Sequence, residues 1–276
     1  MKLTMLGTGN ASVTECFNTC FVFSNEENMH FLVDTGGGNR ILKVLKDCNI
    51  SLEGIHDIFI THEHIDHLLG ILWLIRMIGT KMNQGTYEGT LSIYCHSELI
   101  EKICVMAEMT IQQKVCKHIG KEILFVAIET GEQMKILDSD VTFFDIGSTK
   151  AKQYGFTMIT RDGIKLACLG DEPFNPENEE FVRNSDWMMH EAFCLYSEAE
   201  RFKPYEKHHS TVKEACETAS RLGVANLILY HTEETHLENR KELYTEEGRR
   251  YYSGNLYVPD DLESFEIKRM LRFSGA

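Results

Sequence analysis

Only 4 prolines are spread over the 276 residues, and no stretch is rich in proline, glycine and serine together. A disordered linker is thereby excluded, and a single domain over residues 1–276 is the expected organisation. No apolar run reaches the roughly 18 residues that a membrane helix needs, so no span is expected. No basic segment followed by an apolar stretch opens the chain, so a secretory signal is not visible and a cytoplasmic location is expected. Paired cysteines are missing too: the 9 cysteines are scattered from Cys16 to Cys216 with no C-x-x-C spacing. That rules out a disulfide framework or a zinc ribbon and leaves small buried thiols in a reducing compartment. Basic residues are scarce, with 28 Lys and Arg against 42 Asp and Glu, a net charge of -14. Such a surface disfavours a long phosphate backbone unless a local basic patch overrides it. What remains is an ordinary globular composition, 43% hydrophobic and 25% charged. A chain of this length buries a large core without cross-links.

Short β-rich runs open the chain at Lys2–Leu6, Cys20–Phe23 and His30–Val33, the last two joined as a hairpin. Further strands are expected at Ile55–Ile60, Leu91–Cys95, Glu122–Ile128, Met134–Leu137, Val141–Ile146, Phe156–Thr160 and Lys165–Leu169. Leu68–Ile78 and Glu98–Met109 read as helices. From Pro176 the pattern alternates: a strand at Trp187–Met189, a helix at Thr211–Leu222, a strand at Asn226–Tyr230. The helix opens on a Thr211-x-x-Glu214 capping box and closes at Gly223, the start and stop signals of an amphipathic segment. Many strands with helices interspersed predict a layered α/β fold, with helices outside two sheets.

The segment Thr61–His67 reads Thr-His-Glu-His-Ile-Asp-His. Three imidazoles and a carboxylate lie within six residues, between a β-rich run and a helix. These are the ligand types zinc takes at neutral pH. Histidines two apart converge on one ion, and Asp66 and His67 point to a second position.

This H-x-H-x-D-H motif resembles the signature of the metallo-β-lactamase superfamily. The resemblance runs along nearly the whole chain in the family's order. The opening strands with Asp34 resemble its first motif, and His62, His64, Asp66 and His67 its second. Asp171 resembles the metal-bridging carboxylate and His231 the last ligand. His190-Glu191-Ala192 and His209-Ser210-Thr211 resemble elements of the ribonuclease Z-like branch, where they cooperate in proton transfer. The resemblance implies a four-layer αββα sandwich of two mixed β-sheets flanked by helices. It also implies a hydrolase that uses a water activated by one or two Zn2+ ions, with Mn2+ or Fe as alternatives. Asp66 would orient and deprotonate the water, and His209, held by Glu191, would protonate the leaving group. Asp34 is expected to orient a ligand histidine rather than bind metal.

One departure stands out. The family supplies another histidine between its second motif and the bridging Asp, and here it should stand near Gly147. No histidine occurs between His118 and His190. The first site is then left with His62, His64 and Asp171, with Asp145 as a candidate substitute, and the expectation is a weakened first site or a single ion at Asp66, His67, Asp171 and His231. A phosphodiester substrate is expected, and RNA is disfavoured by charge. Carbonyl hydrolysis of a thioester, lactone or β-lactam on the same site is the alternative, as is a ligand-binding relative without activity. A homodimer is the commonest oligomer to expect. Tyr251, Tyr252 and Tyr257 are expected as core residues, with a place beside the site or in a subunit contact as the alternative.

Overall fold

The structure, a computed structural model, describes residues 1–269. Fourteen strands follow in chain order: β1 Lys2–Gly7, β2 Cys20–Ser24, β3 His30–Val33, β4 Ile55–Phe59, β5 Leu91–Cys95, β6 Ile123–Ala127, β7 Gln133–Ile136, β8 Ser139–Asp145, β9 Tyr154–Ile159, β10 Lys165–Cys168, β11 Trp187–Glu191, β12 Asn226–Tyr230, β13 Asn255–Tyr257 and β14 Ser264–Glu266. The helices are α1 Arg40–Asp47, α2 Ile65–Leu68, α3 Gly70–Gln84, α4 Ser97–Thr110, α5 Gln113–Cys116, α6 Glu179–Val182, α7 Ala199–Phe202, α8 Val212–Arg221 and α9 Arg240–Gly248. The strands build two seven-stranded sheets, ordered β14-β1-β2-β3-β4-β5-β6 and β13-β12-β11-β10-β9-β8-β7. Both are mixed. In the first, β1, β2 and β3 pair antiparallel and β3 to β6 parallel. In the second, β7 to β10 pair antiparallel and β10 to β13 parallel.

Strand alternation creates the layers. Phe21, Phe23, Phe31, Val33 and Phe59 join Phe143, Phe156, Trp187, Ile228 and Tyr230 in the core between the sheets. Their neighbours Val22, Leu32 and Ile58 face the other way, into the core under α1, α3 and α4. Leu227 and Leu229 likewise turn to the core under α8 and α9. A period of two puts alternate side chains on opposite faces, so a strand apolar at every position is covered on both. Each buried Phe, Leu or Ile contributes about 1.5–3 kcal/mol. The result is the expected four-layer sandwich.

Helix faces follow the same logic. Ile71, Leu74, Ile75 and Ile78 of α3 are buried, as are Val212, Ala215, Cys216 and Ala219 of α8. The Thr211–Glu214 capping box is formed. The helix expected at Leu68–Ile78 is instead the turn α2 followed by α3, which runs on to Gln84. Leu69 lies between them, and Gly70 opens α3 against the Thr35 backbone, where a Cβ would lie 2.0 Å from the carbonyl oxygen. The strand expected at Trp187–Met189 continues through Glu191, because β12 offers it backbone partners as far as Tyr230. Tyr252 is buried and Tyr257 stacks on Trp187 at 5.4 Å, so these tail tyrosines pack as core.

Candidate metal centre

The sequence-selected residues lie at carboxyl ends of strands. Asp34 follows β3, the 61–67 segment follows β4, Asp171 follows β10, Glu191 ends β11 and His231 follows β12. Parallel pairing of β3 with β4, and of β10, β11 and β12, brings those ends to one edge, where open α/β sheets place their ligands. Asp34 and His231 both adopt left-handed backbone, with φ of 56° and 57°. For non-glycine residues this costs energy and marks places where surrounding structure dictates the conformation.

Asp34 anchors the 61–67 segment. It accepts hydrogen bonds from the Thr61 amide at 2.9 Å and from the Thr61 hydroxyl. Its Oδ2 lies 2.7 Å from His67 Nδ1, the orienting contact expected of it. That leaves His67 Nε2 facing carboxylates, 3.3 Å from Asp66 Oδ2 and 3.5 Å from Asp171 Oδ2. His231 Nε2 stands 3.6 Å from each of the same two oxygens. His62 Nε2 lies 2.8 Å from His64 Nδ1 and 3.7 Å from Asp171 Oδ2. All six residues expected as ligands are thus brought together. They form two adjoining sets, His62 with His64 and Asp171, and Asp66 with His67 and His231, and within each set the ligand atoms lie within 4.8 Å of one another.

The electrostatics call for a cation. Burial opposes charge on Asp66 and Asp171, yet the surrounding imidazoles outweigh it and hold both carboxyls below their usual range. Burial opposes a charged His67 as well, and the Asp66, Asp34 and Asp171 carboxylates overcome it and raise its pKa. His62 is pushed well below its ordinary value, chiefly by burial, which keeps it in the neutral form that ligates. His67 Nε2 and both ring nitrogens of His231 are buried without a hydrogen-bond partner among the described residues. Unpartnered buried imidazole nitrogens beside ionised carboxylates are a donor set that a divalent metal satisfies.

Asp145 is not part of this centre. Its Oδ1 accepts the Gly147 amide at 2.8 Å, and it belongs to neither set. A side chain at Gly147 would be strained: its φ is +73°, and a Cβ would lie 2.5 Å from the Asn175 side-chain nitrogen, which would have to shift. The same loop sends in Gln153 instead. That side chain, 1% exposed, donates from Nε2 to Asp171 Oδ1 at 2.6 Å. Gly170, at φ +81°, leaves it space, since a Cβ there would lie 3.0 Å from Gln153 Nε2. Nothing in the sequence flags a lone glutamine for this role.

Glu191 and His209 meet beside the centre, Oε2 to Nδ1 at 3.6 Å. The other Glu191 oxygen accepts the Ser210 amide. Burial disfavours the His209 imidazolium, but Glu191 outweighs it and raises the pKa. His209 stacks on Phe193 at 5.0 Å and lies 5.1 Å from the His231 ring. His208, its neighbour, is exposed. A cleft of about 820 Å³ covers the centre, and Lys102, Lys150, Lys207 and Phe193 line it with His209 and Asp66. Sequence reasoning missed these lysines and Phe193, since scattered residues converge here only through folding.

Ribonuclease Z of Thermococcus sibiricus is 25% identical over 309 aligned positions, covering 98% of this chain and 96% of that one. The metallo-β-lactamase fold protein YhfI from Bacillus subtilis superposes with a TM-score of 0.76 at 17% identity, over 96% of this chain and 98% of its own. The short form of human tRNase Z gives 0.75 at 20% identity, over 97% and 100%. The architecture is the metallo-β-lactamase fold in its ribonuclease Z-like form. Residues 1–248 match the family model described as Anti-Pycsar protein Apyc1, and the chain belongs to that family.

Proposed function

We propose that this chain hydrolyses a small phosphodiester, about the size of one nucleotide, with Zn2+ held by His62, His64, Asp66, His67, Asp171 and His231. The carrying observation is the convergence of those six side chains, with ring nitrogens of His67 and His231 that have no hydrogen-bond partner among the described residues. Similarity to ribonuclease Z enzymes supports the phosphodiester bond as the target. The cleft of about 820 Å³ falls in the range of small-molecule sites, roughly 300–1,000 Å³, and suits a mononucleotide, cyclic esters included, better than a folded RNA.

A bound divalent ion supplies positive charge for the phosphoryl oxygens and lowers the pKa of a water from 15.7 to about 7. The protein's own residues do the rest. Asp34 fixes the His67 tautomer through Nδ1. Asp66 orients the attacking water and accepts its proton. His209 carries a proton that Glu191 stabilises, and donates it to the departing oxygen. Lys102, Lys150 and Lys207 at the cleft attract the anionic ester, and Phe193, stacked on His209, adds an apolar wall to the same cleft.

Replacement of Asp66 by Ala should lower turnover of bis(p-nitrophenyl) phosphate and of cyclic mononucleotides by orders of magnitude with the circular dichroism spectrum unchanged. Full activity in that variant would remove the mechanism. A chromogenic thioester and a lactam, run in parallel, should turn over far more slowly. The reverse preference would make carbonyl hydrolysis the function.

A further inference from the structure

Outside that centre lies another cluster, past the turn at His231. Glu233 is 4% exposed. Its amide donates to the Phe193 carbonyl at 2.8 Å, and its Oε2 accepts the Thr235 amide. Its Oε1 is buried with no hydrogen-bond partner among the described residues. Leaving such an oxygen unsatisfied costs about 1–3 kcal/mol, and more when it is charged. Two further side chains lie beside Glu233. Glu198 Oε2 lies 2.8 Å from His236 Nε2, and ligand atoms of Glu198, Glu233 and His236 all lie within 4.8 Å of one another. Arg201 takes the other Glu198 oxygen at 3.2 Å. Glu198 and His236 are each about a quarter exposed, so the cluster opens to water on one side.

Two carboxylates and one imidazole, with one face open to solvent, make a donor set for a divalent transition ion. We propose that Glu198, Glu233 and His236 form a second metal site, independent of the hydrolytic centre. An ion there joins the segment after β12, which carries His231, to the segment that follows Glu191 at the end of β11. It thereby adds a side-chain tie beside the Glu233–Phe193 backbone bond, and braces two groups of the active site from behind.

Crystals of the full chain, grown with stoichiometric zinc, should show an anomalous peak about 2.0–2.2 Å from a Glu233 oxygen and a His236 nitrogen. A peak at the hydrolytic centre with none between Glu198, Glu233 and His236 overturns the inference and leaves the hydrolase reading standing. A peak here with none at the hydrolytic centre supports the inference and removes that reading. In solution, His236→Gln and Glu198→Gln should each lower the zinc retained after gel filtration by about one equivalent per chain. Both substitutions are at part-exposed positions, so the fold tolerates them. Unchanged zinc content in both folded variants overturns the site.

Discussion

Asp171 divides its two oxygens between two tasks. Oδ2 sits within 3.7 Å of His62, His67 and His231, while Oδ1 is held by Gln153. Gln153→Ala should therefore loosen the carboxylate and lower zinc affinity by about 10–100-fold, the usual effect of losing a partner that orients a ligand. Competition with a chromophoric chelator reads this directly, and unchanged affinity would reduce Gln153 to a packing residue. His209 sits in a different role. Its raised pKa, won by Glu191 against burial, keeps its proton available to higher pH than a free histidine allows. His209→Ala should slow esters with poor leaving groups by about 10²–10⁴ and spare p-nitrophenolate esters. An equal loss across a leaving-group series would argue against proton donation. At this scale the candidate ligands of the 61–67 segment were legible because metal chemistry restricts the residue types, and the candidates Asp171 and His231 were legible through the family resemblance. Gln153 was not, because an amide acquires its meaning only from what it touches.

The hairpin of β2 and β3 carries a titrating group that strand pairing buries. His30 on β3 lies 2.8 Å from the Ser24 hydroxyl on β2, and burial, with His56 adding to it, depresses its pKa from 6.5 to about 4. Between those values the unfolded chain binds a proton that the folded chain refuses. Stability should thus fall as pH drops through that window, by about 3 kcal/mol at most. Urea titrations at pH 7 and pH 5 test this: His30→Gln should flatten the difference, and an equal slope in the variant would assign acid sensitivity elsewhere. Element identity was legible where an apolar, β-rich run of four or more residues stood between turn signals. Asn226–Tyr230 and His30–Val33 were read to the residue, since every second side chain enters a different core. By contrast α9, β13 and β14 escaped notice. The last two are three residues each, too short for a period, and β14 exists because β1 offers it an antiparallel edge.

Charge acts on the molecule as a whole. The chain carries -14, yet Lys102, Lys150 and Lys207 converge on the cleft, where Lys102 pairs with Glu63 and Lys150 lies 3.8 Å from Glu172, so positive charge there is local and short in reach. Short anions should be drawn in and long polyanions repelled. A cyclic mononucleotide should have a kcat/KM at least about 10-fold above that of a precursor tRNA at physiological salt, and parity between them would sink the charge argument. Among the described residues, no helix is long and apolar enough to cross a membrane. By itself the sequence determined the layered α/β fold, the order of the motifs and the candidate ligands, because periodicity and ligand chemistry are local properties written in spacing. The tertiary structure alone decided that Gly147 yields its place to Asn175, that Gln153 reaches Asp171, and that Glu198 meets Glu233 and His236. Those contacts join residues far apart in the chain, and their distances depend on how two sheets pack.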